Sequence, residues 1–404
     1  MANNLKNPWS KFEPDSQTPW NRAAAAHLFR RAGFGATDAQ LDHAVDRDPQ
    51  KVIDGLLSPG AEAAAFERDA KSLDEAVVAG GNVEALSAWW LYRMRHSPDP
   101  LLEKMTLFWH GHFATSAAKV DDARMMFNQH QLFRTHAGGK FGPLAHAISR
   151  DPAMLVYLDS ATNRKTHPNE NYARELMELF CLGTGNYSEQ DIQQLARAFT
   201  GWEVRRKKFT FNKYEHDEGA KTILGQTRNF GGVEGVDVVL SQQATPRFIA
   251  EKLYRFFIAD EPAPSEELIA PLARQLQDSD FDVGGLLRTM LSSRLFFSQH
   301  AIGRKVRSPV DLAMGLLRGL DAQTNMNDLA ERLGELCQRP FYPPNVKGWD
   351  GGRTWINSST LLGRANLVGK LVKAANLEQL TARADTDSPE EMVAWACDLL
   401  LAVP

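Results

Sequence analysis

Apolar residues recur at three- and four-residue spacing along most of the chain, as in FIAEKLYRFF from Phe248 to Phe257, the period of an amphipathic helix. Helix openings punctuate this pattern. Thr37-Asp-Ala-Gln40 reads as a capping box, in which the Thr hydroxyl and the Gln side chain satisfy each other's free amides. Ser188-Glu-Gln-Asp191 and Ser308-Pro-Val-Asp311 resemble it with the shorter Asp, and Ser388-Pro-Glu-Glu391 fits it fully. Asp48-Pro49, Asp99-Pro100 and Thr245-Pro246 give a cap followed by proline, whose missing amide costs nothing in the first turn. Strand signals are confined to residues 203–240, where Phe209-Thr-Phe211 alternates weakly and Val236 to Leu240 is a short apolar run. The pattern predicts a mainly α protein, a large multi-helix body with a small irregular or β-hairpin excursion near 203–240. The body divides into halves of about 20–200 and 245–404. Residues 1–26 form an N-terminal extension, 27–366 a single large helical domain, and 367–404 a C-terminal helical segment packed on the body.

Composition narrows the class. The 404 residues are 43% hydrophobic and 24% charged, ordinary for a globular chain. Lys and Arg number 46 against 50 Asp and Glu, so no basic excess points to nucleic acid. Cys181, Cys337 and Cys397 form no CxxC pair and suggest free thiols, which suits a reducing compartment. No stretch approaches roughly twenty apolar residues, so no membrane span is expected. The opening MANNLKNPWSKFEPDSQTPW has no basic patch followed by an apolar run. A cytoplasmic location is therefore the expectation, with export as the alternative if a leader is missing.

Candidate chemistry gathers in five places. As a helix, Asn169–Phe180 (NENYARELMELF) sets Asn171, Glu175 and Glu178 within about 60° of one another. Two carboxylates so placed repel, and need a cation, a metal, a shared proton or open water. They can form a solvated face beside Arg174, a buried network with Arg30, Arg31 or Arg197, or a site in which they ligate a metal or share acid/base work. In Phe108-Trp-His110-Gly-His112-Phe113 both imidazoles point one way if the segment is extended, whereas in a helix they diverge by about 200°. Gly111 allows a local break that would let both reach one ion. His216-Asp217 is the third group, a ligand or base on a loop, or simply exposed loop chemistry. Trp349 and Trp355, in the glycine-rich PPNVKGWDGGRTWIN, form either a stacking platform or a plug over the core. His27, Arg30 and Arg31 add a cationic helix face that can meet an anion or pair with the Glu helix.

Seven segments in order carry a resemblance: HLFRRAGFGAT, EKMTLFWHGHFATS, DPAMLVYLD, NENYARELMELF, ARAFTGW, HDEGAKTILG and PPNVKGWDGGRTWIN. Together they resemble the bacterial domain-of-unknown-function family 1800, from about His27 to Asn366. The resemblance implies no assigned activity. It implies frequent export and a sulfatase-like protein of unknown function encoded nearby as a partner.

The leading expectation is metal-assisted, hydrolytic chemistry. His110, His112 and His216 would bind a divalent Zn, Mn or Fe with Glu175 and Glu178, one Glu or Asp217 taking a proton from bound water. Asn171, Arg174 and Arg197 would hold substrate, with Trp349 and Trp355 walling the pocket. Two alternatives stand beside it. One is a metal-free glycan-active enzyme using Glu175 and Glu178. The other is a non-catalytic binding or assembly protein built on a Glu/Arg network.

Overall fold

The computed structural model describes residues 7–58, 60–376 and 388–401, with 378 and 382. Helices dominate, and the expected caps start many of them. Thr37 and Ser188 close reciprocal capping boxes with Gln40 and Asp191. Asp48, Asp99, Ser308 and Ser388 each accept backbone amides from the first turn, with proline at the next position. The helix Ala244–Phe257 starts earlier than its sequence suggests: Gln243 is the cap, and the Thr245 hydroxyl donates instead to the carbonyl of Val239, 2.9 Å away. Pro246 still falls within the first turn, where no amide is needed.

The excursion holds two separate hairpins. Trp202–Arg205 pairs antiparallel with Lys208–Phe211, and Lys221–Ile223 with Gln226–Arg228. The apolar run at Val236–Leu240 is not a strand but the second half of the helix Gly232–Leu240. Val236 and Val239 are fully buried, so packing overrides the modest helix propensity of valine.

Two apolar cores hold the body together. One gathers residues from Phe12 to Ala301 and adds Leu399. The other joins Phe34 and residues between Val83 and Ala153 to residues between Val310 and Leu371. Neither follows the expected division into sequence halves, because helices remote in sequence share each core. Trp395 and Leu400 of the helix Pro389–Leu400 touch both cores. The helix Ser358–Lys373 runs without a break across residue 366. Much of residues 377–387 lies outside the described residues.

The helix Pro100–His112 is buried on nearly every side. Such a helix must neutralise whatever charge it carries. Glu103 takes Arg134 and the indole NH of Trp90, while Lys104 pairs with Asp311. The C-terminal turn of this helix, with His110, Gly111 and His112, forms one wall of the cavity described next.

Candidate functional site

A cavity of ≈ 490 Å³ lies where five segments meet. The helix Pro100–His112 supplies Leu107, Phe108, Gly111 and His112. Opposite it stand Phe248, Lys252, Arg255 and Phe256 of the helix Ala244–Phe257. Glu178 and Leu179 enter from the chain before Gly183, Lys305 and Ser308 from the chain leading into Pro309–Gly319, and Asp311 from the first turn of that helix. Trp349, Asp350 and Trp355 close the fifth side.

One glycine lets that last loop approach. Gly348 has φ +78°, and a Cβ there would sit 2.0 Å from the Gly111 carbonyl oxygen. A Cβ on Gly111 itself would meet the Trp349 ring at 3.7 Å, an ordinary contact. Gly111 does not break the helix, which runs through to His112. The H-x-H pair is helical, its imidazoles diverge, and they do not share a ligand position.

Each histidine is held separately. The His110 ring lies among Trp90, Phe341 and Trp349, and its Nε2 accepts the Phe341 amide at 3.0 Å. His112 Nε2 donates to the Phe180 carbonyl at 3.0 Å, which leaves Nδ1 as an unprotonated acceptor without a partner. Burial pushes both imidazoles down to about 3. His216 lies elsewhere, its Nδ1 donating to the Thr200 carbonyl at 2.9 Å. Among the described residues no group of three or more His, Cys, Asp or Glu could hold a metal ion.

The acidic helix also differs from the regular α-helix expected. Asn171–Glu175 is α-helical, but Leu176–Cys181 is a π-helix, with the Leu182 amide bonded to the Met177 carbonyl at 2.9 Å. The wider turn separates the two carboxylates in role. Glu178 lines the cavity and accepts the Tyr187 hydroxyl at 2.9 Å. Glu175 does not line it; burial and then the Glu178 charge hold its carboxyl above the usual range. π-Turns recur at functional sites.

The remaining candidates form surface and loop pairs. Arg174 bridges Glu170 and Glu189. Arg197 clasps both oxygens of Asp217 at 2.7 and 3.1 Å, and these bonds lower the Asp217 pKa. The Asn171 amide donates to the Leu158 carbonyl at 3.2 Å. Thus His112, Glu178, Trp349 and Trp355 converge on the cavity, while His110, Asn171, Arg174, Glu175, Arg197, His216 and Asp217 do not line it.

The sequence reading missed the cavity's cations. Lys252 sits between Phe248 and Phe256 at four-residue steps, a lysine interrupting an apolar stripe, and that was the available signal. Its ammonium lies 5.2 Å from the Phe248 ring centroid and has no hydrogen-bond or ion-pair partner among the described residues. Burial, then Arg255, lowers its pKa; Glu251 and Asp350 act on it only from beyond bonding distance. Lys305 is pushed down to about 8 by burial, although it pairs with Asp260 and donates to the Arg255 carbonyl at 2.8 Å.

A family model described as a protein of unknown function, DUF1800, matches residues 27–403. No curated protein and no solved structure matches.

Proposed function

The chain belongs to that family of unknown function, and from this premise we propose that its cavity binds a small organic anion. One observation carries the reading: Lys252 lines the cavity with its ammonium 5.2 Å from the Phe248 ring centroid and no ion-pair partner among the described residues. A cation without a counter-charge beside an aromatic wall gains from a carboxylate or phosphate. The aromatic walls suit a flat or ring-shaped ligand body, and a few convergent polar groups within apolar walls are typical of small-molecule sites. His112 Nδ1 and Trp349 Nε1, both buried without partners, offer an acceptor and a donor beside the ligand.

The test is a binding screen of ring compounds in matched charged and uncharged forms, monitored by ligand-observed NMR. Anionic members bind the wild type, and Lys252→Met, whose side chain still packs on Phe248, weakens them by about tenfold or more. Equal affinity in Lys252→Met, or selection of the uncharged forms, overturns the reading.

A hydrolytic step at the same site is the second reading. It is favoured by Glu178, a carboxylate in the cavity wall whose neighbour Glu175 is held toward its protonated form. Glu178 would hold or move a proton at the bound anion, and Glu178→Gln would then retain binding but lose turnover. The three histidines of a metal-assisted version are engaged with separate backbone groups and do not converge on one ion position.

A further inference from the structure

Beside the cavity, where Lys305, Ser308 and Asp311 form its wall, lies a cluster of buried charge that the ligand reading leaves unexplained. Five cations meet there: Arg31, Lys104, Lys305, Arg307 and Arg364. Two carboxylates answer them. Lys104 takes Asp311 and Lys305 takes Asp260, one to one. Burial works to raise Asp311, but the two lysine charges outweigh it and keep its pKa low.

That leaves three guanidiniums with no carboxylate within ion-pair distance among the described residues. Each makes one named bond to a backbone carbonyl: Arg31 to Ala301 at 2.6 Å, Arg364 to Arg307 at 2.9 Å, and Arg307 to Leu400. A guanidinium has five donors, so most of this capacity is unspent. Arg31 is only 8% exposed, and its Nη1 and the Nη1 of Arg364 are both buried without a partner. Burial comes first among the causes that lower the pKa of all three, and mutual repulsion adds to it: Arg307 acts against Arg31, and Arg364 against Arg307. Guanidiniums do not release their protons under ordinary conditions, so the charge persists.

We propose that Arg31, Arg307 and Arg364 form a binding site for a tetrahedral oxyanion, a phosphate or sulfate group, behind the Lys305–Ser308 wall of the cavity, which the three arginines do not themselves line. Three forked donors around an excess of positive charge match the several acceptor oxygens of such a group, whereas a single carboxylate would leave donors idle. The site stands apart from the cavity reading, since none of the three arginines lines that cavity.

Inorganic phosphate and inorganic sulfate are the probes, with chloride at matched ionic strength as the reference. Thermal unfolding and calorimetry are recorded on the wild type, Arg31→Gln, Arg364→Gln and Lys252→Met. Phosphate or sulfate raises the melting temperature above the chloride control, and whichever binds more tightly identifies the group. Arg364→Gln, at the less enclosed position, weakens that binding by about tenfold or more, and Arg31→Gln does the same where it folds. A shift no larger than that with chloride, or one that survives Arg364→Gln, overturns the proposal. If inorganic anions depend on Arg364 while the organic anions ignore Lys252, the cavity reading fails and the oxyanion site stands.

Discussion

Glu103 has no exposed side-chain surface, yet it carries a charge into the centre of the helical body. It is tolerated because Arg134, Arg93 and the Trp90 indole surround it, while Arg93 also reaches Glu67 and Asp74. A network of this kind adds little net stability but is costly to break, since the remaining charges stay buried. Glu103→Ala removes the fully buried carboxylate and leaves Arg93 and Arg134 only the more exposed Glu67 and Asp74, and is expected to cost about 3–5 kcal/mol in denaturant unfolding. A loss well under 1 kcal/mol would mean that water or Glu67 replaces the missing carboxylate. The same logic separates His112 from His110: one ring nitrogen of each is spent on backbone, but only His112 lines the cavity.

At the scale of elements, the decisive feature is how closely the Asn345–Trp355 loop lies on the end of Pro100–His112. Gly348 holds a left-handed φ at the point where an added Cβ would meet a backbone oxygen that cannot swing aside. Gly348→Ala is therefore expected to cost about 1–3 kcal/mol from backbone strain and to weaken cavity ligands by displacing Trp349. Wild-type affinity together with wild-type stability in this variant would refute the packing argument. Caps were legible because they are local: Asp99 and Leu102, or Ser188 and Asp191, need only three residues to find each other. The π-turn at Leu176–Cys181 was not legible. Its sequence, LMELFC, suits an α-helix, and only the packing around Phe180 and Cys181 selects the wider turn.

Across the whole molecule, four histidines are buried uncharged. Burial is the main cause that pulls His27, His110, His112 and His130 below the ordinary 6.5, with nearby arginines adding to it for His27 and His130. The unfolded chain therefore binds up to four more protons than the folded one below about pH 6.5. Stability is fully present above that pH and falls as pH drops toward 3, by about 1.4 kcal/mol per pH unit for each proton. Asp151 opposes this: burial pushes it up to about 7, so between pH 4 and 7 the folded state binds one proton that the unfolded chain does not. The expected outcome is a net uptake of protons on unfolding near pH 5, read from the slope of unfolding free energy against pH. A flat profile between pH 4 and 6.5 would refute it.

Family membership and helical class were settled by sequence alone, because motif order and the 3.6-residue period are properties of the chain itself. So were most helix starts, whose partners lie within one turn. The site was only half legible. Glu178, His112, Trp349 and Trp355 stood out by residue type, but so did His110, His216, Asp217 and Arg197, which the fold sends to other places. Arg31 stood out as part of a cationic helix face, but Lys252, Arg307 and Arg364 stayed hidden, because a cation becomes informative only when its surroundings fail to neutralise it. That failure is a property of burial and neighbours drawn from segments hundreds of residues apart, and tertiary structure alone decides it.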